Sequence, residues 1–245
     1  MNRDFDILRD FYKQNRGEIY QHIRNVFEVK HTVKPLNGYM NINKSDLYTF
    51  IRHTRQHEMV LRWHSVYKNQ RVIDMGAGLG GCYLSLRYCQ PSELIAVEPN
   101  YDNFDFLIKH VTYDKIIQSR WQEFDYKAKD CVFLKAPWIS DWKRLIERLA
   151  DYSVSNIIII LDFIDDENPK AIYHNKWDRD LTSPHRFTCD EKLEIFYTPS
   201  IGFIKNLLEK NGFFIKNELY ASRFQDQKQL VKRYNLHIKK KDIIS

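Results

Sequence analysis

From Arg71 onward, short apolar runs alternate with stretches of helical periodicity, and that alternation leaves few architectures open. The runs are Val72-Ile73-Asp74, Leu94 to Val97, Lys115 to Ile117, Cys131 to Leu134, Asn156 to Leu161, Phe213 to Leu219 and Tyr234 to Ile238. Strand-length runs separated by helices predict an α/β fold, a seven-strand, mostly parallel sheet with flanking helices. A short helix is expected between the last two runs, near Phe224 to Lys232. Ahead of Arg71 the periodicity is helical. Phe5, Leu8, Phe11 and Tyr12 make one stripe, Ile19, Ile23, Val26 and Phe27 a second, and Gly17 predicts a break between them. A loop is expected from His31 to Lys44. Ser45 with Asp46 then reads as the N-cap of a helix carrying Leu47, Phe50, Ile51, Val60, Leu61 and His64. Residues 1–69 are therefore expected to form a helical N-terminal cap, and 70–245 the α/β domain.

Composition excludes several classes. In 245 residues, 43% are hydrophobic and 14% aromatic, with eight glycines and seven prolines, which rules out a disordered or low-complexity chain. No apolar run approaches the roughly 18 residues of a membrane span. Met1-Asn2-Arg3-Asp4-Phe5-Asp6 lacks the basic and apolar regions of a signal peptide. Cys82, Cys89, Cys131 and Cys189 are widely spaced and read as reduced thiols, so a cytoplasmic location is expected. The net charge of +6 permits an anionic substrate or a nucleic acid and requires neither.

The most specific motif is Arg71-Val72-Ile73-Asp74-Met75-Gly76-Ala77-Gly78-Leu79-Gly80-Gly81, a strand running into a glycine-rich turn with a helix starting near Cys82. Glycines are needed where the backbone takes positive φ or lies against a ligand, and N–H groups at a helix start favour an anionic group. Glu98 ends the next strand, Leu94-Ile95-Ala96-Val97, about 20 residues after Gly76. An acid there can accept both hydroxyls of a ribose. The spacing Gly76-Ala77-Gly78-Leu79-Gly80 departs from the G-x-G-x-x-G of dinucleotide sites.

This pattern, with Asp74 two residues ahead of the first glycine, resembles motif I of the class I S-adenosylmethionine-dependent methyltransferases, whose sheet is Rossmann-like. Ile95-Ala96-Val97-Glu98-Pro99-Asn100-Tyr101-Asp102-Asn103-Phe104 is similar to the second-strand region of FkbM-type methyltransferases. Phe196-Tyr197-Thr198-Pro199 with Asn211-Gly212-Phe213-Phe214 resembles a segment of quinone-biosynthesis-type enzymes. The resemblance covers residues 71–220 and implies S-adenosylmethionine as cofactor. It implies a cofactor site made from Asp74, Gly76, Ala77, Gly78, Gly80, Glu98 and Pro99, with Ser119, Arg120 and Trp121 after the third strand and Ala136 and Pro137 after the fourth. Gln118, Ser119 and Gln122 are candidates for the adenine edge. Trp121 reads equally as a stacking partner or a core residue of a following helix. Lys135, Trp138 and Asp141 would border the reacting methyl.

Residues 163–199 exceed an ordinary strand-to-helix connection of about 2–6 residues and are expected to form a lid. Tyr173, Trp177, Arg179 and Arg186 in this segment suit a small-molecule or glycan acceptor: a sugar, nucleotide-sugar or phosphorylated compound, methylated on oxygen. An oxygen acceptor of high pKa needs a base, for which His174, His185, Asp141 and Asp162 are the catalytic candidates. His53 and His57 share a helix face, but no third ligand accompanies them, and no metal is expected. An RNA methyltransferase and a non-catalytic cofactor-binding accessory protein are the alternatives. Against nucleic acid, strand four lacks the Asn/Asp-Pro-Pro-aromatic signature, and no separate RNA-binding module is visible.

Overall fold

The computed structural model describes residues 3–32, 56–135, 141–164, 172–174, 186–189, 192–195, 197–226 and 229–241. Contacts divide the chain into two units, Met1–Val72 with Ala77–Gln118 and Ile73–Gly76 with Ser119–Ser245.

The first unit opens with helix α1 (Arg3–Thr32). It passes through Gly17 without the expected break, because Phe11, Ile19, Ile23 and Val26 are all buried and one continuous helix is what buries them together. Residues 56–61 are helical, followed by the short α2 (His64–Tyr67). The helix expected behind Ser45 lies outside the described residues up to residue 55. Strand β1 (Arg71–Met75), of which residues 73–75 count with the second unit, helix α3 (Tyr83–Tyr88), strand β2 (Glu93–Val97), helix α4 (Tyr101–His110) and strand β3 (Lys115–Ile117) come next. β2 and β3 pair in parallel, and residues 94 to 97 are fully buried.

His22 of α1 packs edge-on against Phe106 of α4, with ring centroids 6.3 Å apart. Burial, and then the neighbouring His110, lower its pKa from 6.5 to about 4. The folded chain therefore prefers the neutral ring. Stability from this group is complete above pH 6.5 and is lost as the pH falls towards 4. His237 is lowered to about 4 by burial and then by the nearby Lys216 and Lys239, and adds a dependence of the same sign. His22→Leu is expected to flatten, without abolishing, the fall in melting temperature between pH 6.5 and 5; an unchanged slope would mean that His22 titrates alike in both states.

The second unit contains β4 (Cys131–Leu134), α5 (Trp142–Asp151), β5 (Asn156–Ile164), β6 (Ile172–His174), β7 (Arg186–Cys189), β8 (Lys192–Ile195), β9 (Tyr197–Pro199), α6 (Ile201–Lys210), β10 (Phe213–Asp226) and β11 (Gln229–Lys240). β4 runs parallel to β5, while β11 is antiparallel to both β5 and β10. The core centres on Ile157 to Ile160, with Phe163 packed between Trp142 and Tyr234 at 5.7 Å from each.

Seven strands hydrogen-bond in the order β10-β11-β5-β4-β1-β2-β3, a mixed and mostly parallel sheet. All seven predicted runs are in it. The helix expected near Phe224 to Lys232 is absent. β10 and β11 instead form one long hairpin, with Phe224 opposite Val231 and Gln225 opposite Leu230. Pairing of β11 with β10 along the hairpin, and with β5 over residues 231–239, outweighs the weak local helical preference. β5 also outlasts its aliphatic run, so Asp162 lies inside the strand, in register with Arg233, rather than at its end. Within 163–199 the described strands form two ribbons, β6 with β9 and β7 with β8. Among the described residues no helix is long and apolar enough to cross a membrane.

Candidate functional site

The glycine turn is held by backbone bonds. The Ala77 N–H donates to the Val97 carbonyl (3.2 Å), tying the turn to the end of β2. Gly80 N–H donates to Ala77 (2.9 Å) and Tyr83 N–H to Gly80 (3.0 Å), which curls the chain into α3. Gly76, Gly78 and Gly80 all take positive φ, at 71°, 58° and 74°. That region is costly for other residues, which explains three glycines in five positions. Two of them serve different ends. A Cβ on Gly80 would sit 3.1 Å from both Leu107 Cδ2 and Val111 Cγ2, so this glycine lets α4 pack close. A Cβ on Gly78 would meet nothing within 4 Å, so that side of the turn is open.

Glu98 follows β2 directly and is 4% exposed. Its own N–H donates to Ile117 (3.1 Å), extending the β2–β3 pairing by one residue. Its carboxylate accepts three hydrogen bonds: Oε2 from the Gly78 N–H (2.7 Å), and Oε1 from the Asn100 N–H (2.9 Å) and from Asn103 Nδ2 (3.3 Å). Burial raises the Glu98 pKa above its ordinary value, and the Asn100, Gly78 and Asn103 donors pull it back down. Asn100 is also the N-cap of α4, its Oδ1 accepting the Asn103 N–H at 3.0 Å. The positive end of α4 thus lies beside the buried acid.

The structure therefore joins Gly78 directly to Glu98. Asp74 is 3% exposed within β1, and Pro99 is half-buried. Ser119 Oγ donates to the Arg120 carbonyl at 3.0 Å. Trp121 lies in a turn rather than a helix, with Glu123 and Phe124 N–H both bonded to the Arg120 carbonyl. It is half-buried, and its carbonyl accepts from the Tyr126 hydroxyl at 3.4 Å. Asp141 caps α5, with Oδ1 accepting the Arg144 N–H at 2.9 Å, a structural duty the sequence reading did not assign. Ala136, Pro137, Trp138 and His185 lie outside the described residues, as do the side chains of Asp162 and His174. His57 is a core residue, its Nδ1 3.0 Å from Ser85 Oγ and its ring against Phe11. Asn103 carried no assigned role in the sequence; its signal is an acid followed by Asn100 at an N-cap and a second amide three residues on.

No protein-family model matches the sequence, and no curated protein does. Solved structures do match. A Leishmania major S-adenosylmethionine-dependent methyltransferase has a TM-score of 0.54 at 14% identity, over 76% of this chain and 73% of that one. A magnesium protoporphyrin IX methyltransferase from Synechocystis, with bound S-adenosylhomocysteine, gives 0.53 at 13% identity over 96% and 99%. A 1,6-didemethyltoxoflavin-N1-methyltransferase from Burkholderia thailandensis gives 0.52 at 13% identity over 80% and 82%. With a seven-strand sheet ending in an antiparallel hairpin, a glycine turn after its first strand and a buried acid after its second, the chain has the fold of the class I S-adenosylmethionine-dependent methyltransferases.

Proposed function

We propose that this chain is an S-adenosylmethionine-dependent methyltransferase acting on oxygen of a small-molecule or glycan acceptor of the sugar, nucleotide-sugar or phosphorylated kind. The observation that carries the reading is the buried Glu98 carboxylate bonded to Gly78 N–H within an otherwise open glycine turn. A carboxylate offers about four lone-pair sites. Three are filled here, leaving capacity on Oε2 beside the open face of Gly78 for a ribose hydroxyl. The residues present thus fit a nucleoside.

The cofactor, when bound, supplies an already activated methyl group. The chain's own residues then have positional work: Glu98 holds the ribose, and the turn around Gly78 admits the remainder of the ligand. Alignment and exclusion of water supply the rest of the rate. His174, His185 and Asp162 remain the candidates for the base, since Asp141 is engaged in capping α5. The acceptor class rests on the sequence of 163–199, whose aromatic and arginine residues suit a stacked, anionic compound.

Calorimetric titration tests the reading, with S-adenosylhomocysteine as ligand and NAD as control. The expected result is micromolar binding of the first and none of the second; binding of neither overturns the cofactor assignment. An acceptor screen with labelled cofactor should then transfer methyl to phosphorylated sugars. Transfer to RNA alone would replace the acceptor class.

A further inference from the structure

Glu98 is buried, yet three N–H groups face it where a cation would be the usual partner of a buried acid. Two of the donors, Gly78 and Asn100, are backbone. The third is the side-chain amide of Asn103. With Asn100 as N-cap, Asn103 is the third residue of the first turn of α4. A polar side chain at that position commonly reaches back to the N-cap N–H. Here the Asn100 N–H is taken by Glu98 Oε1, and the Asn103 amide donates to that same oxygen. The first turn of α4 is therefore built around the acid.

We propose that Asn103 is a positioning residue for Glu98, holding its carboxylate in the orientation that receives a ribose hydroxyl on Oε2. This rests on the nucleoside reading of the site. Three donors are what offset the cost of charge at this depth, since burial alone drives the group towards its protonated form. A proton on the carboxyl takes one of its acceptor sites, and with three already filled none remains for the ribose hydroxyl. Of the three donors, only that of Asn103 can be changed without altering the backbone.

The discriminating variant is Asn103→Asp. It preserves side-chain size and places an acid in the first turn of α4, where the helix dipole favours it and offsets part of the like-charge cost, so the variant should fold with a melting temperature lowered at pH 8 and recovering as the pH falls. It also exchanges a donor for a like charge next to Oε1. S-adenosylhomocysteine affinity is expected to drop by at least about tenfold at pH 8. The acid limb of the binding curve should move to higher pH, because Glu98 then keeps its proton longer. Asn103→Ala, which removes the donor and adds no charge, should show about a three- to tenfold loss. Carbon-13 NMR of the Glu98 carboxyl reads the cause directly: its titration midpoint should rise in the order wild type, Ala, Asp. Wild-type affinity and an unmoved Glu98 midpoint in Asn103→Asp would overturn the proposal. A midpoint that moves as expected across the variants, when the wild-type protein itself does not bind S-adenosylhomocysteine, would leave Asn103 as the positioning residue and overturn the ligand reading instead.

Discussion

Glu98→Ala is expected to weaken S-adenosylhomocysteine binding by about 1.5–3 kcal/mol, the range for hydrogen bonds to a charged group. That is roughly ten- to 150-fold in affinity. The same change removes the acceptor from Gly78 N–H, Asn100 N–H and Asn103 Nδ2. These donors are only part-buried, so leaving them without a partner costs less than the roughly 1–3 kcal/mol each of fully buried groups, and the variant should melt modestly earlier. Glu98→Gln separates the two effects. It retains one carbonyl oxygen and sheds the desolvation cost of the charge, so its stability should stay closer to wild type while binding is still lost. Calorimetry and thermal melting on both variants read this out. Unchanged affinity in Glu98→Gln would mean that the ribose is not held by this carboxylate.

The second large effect separates two glycines that a motif treats alike. Gly80→Ala forces a side chain into positive φ and within 3.1 Å of Leu107 and Val111, two residues that hold α4 against the turn. Backbone strain and overpacking together should cost about 2–4 kcal/mol. For a chain of this size that is roughly 5–15 °C in melting temperature. Gly78→Ala meets open space and pays only the backbone term, about 1–2 kcal/mol. Its methyl, however, occupies the face on which the ligand is placed, so it should lose nucleoside affinity out of proportion to its stability. If Gly78→Ala binds normally, the ligand does not lie against that face. If Gly80→Ala melts normally, the α4 packing gives way more easily than the contacts imply.

The sequence by itself determined the strand positions and the glycine turn, because both depend on local pattern. Runs such as Leu94 to Val97 and Ile157 to Leu161 are buried on both faces and read as continuous apolar strings. Gly76, Gly78 and Gly80 are visible because positive φ selects glycine at each site independently of distant contacts. Only the tertiary structure decided the rest. The segment 224–232 became strand because its residues pair across the β10–β11 hairpin, and from Val231 onward β11 also pairs with β5, some 70 residues away in sequence. Gly17 stayed helical because buried side chains on either side of it share one face of α1. Asp141, a candidate base from its place after strand four, became a helix cap, since its oxygen is closest to the Arg144 N–H. Asn103 gained its role in the same manner: it meets Glu98 only because the chain turns from β2 into α4 at Asn100. Periodicity and backbone conformation are written residue by residue, whereas a side chain's partner is set by where the fold places its neighbours.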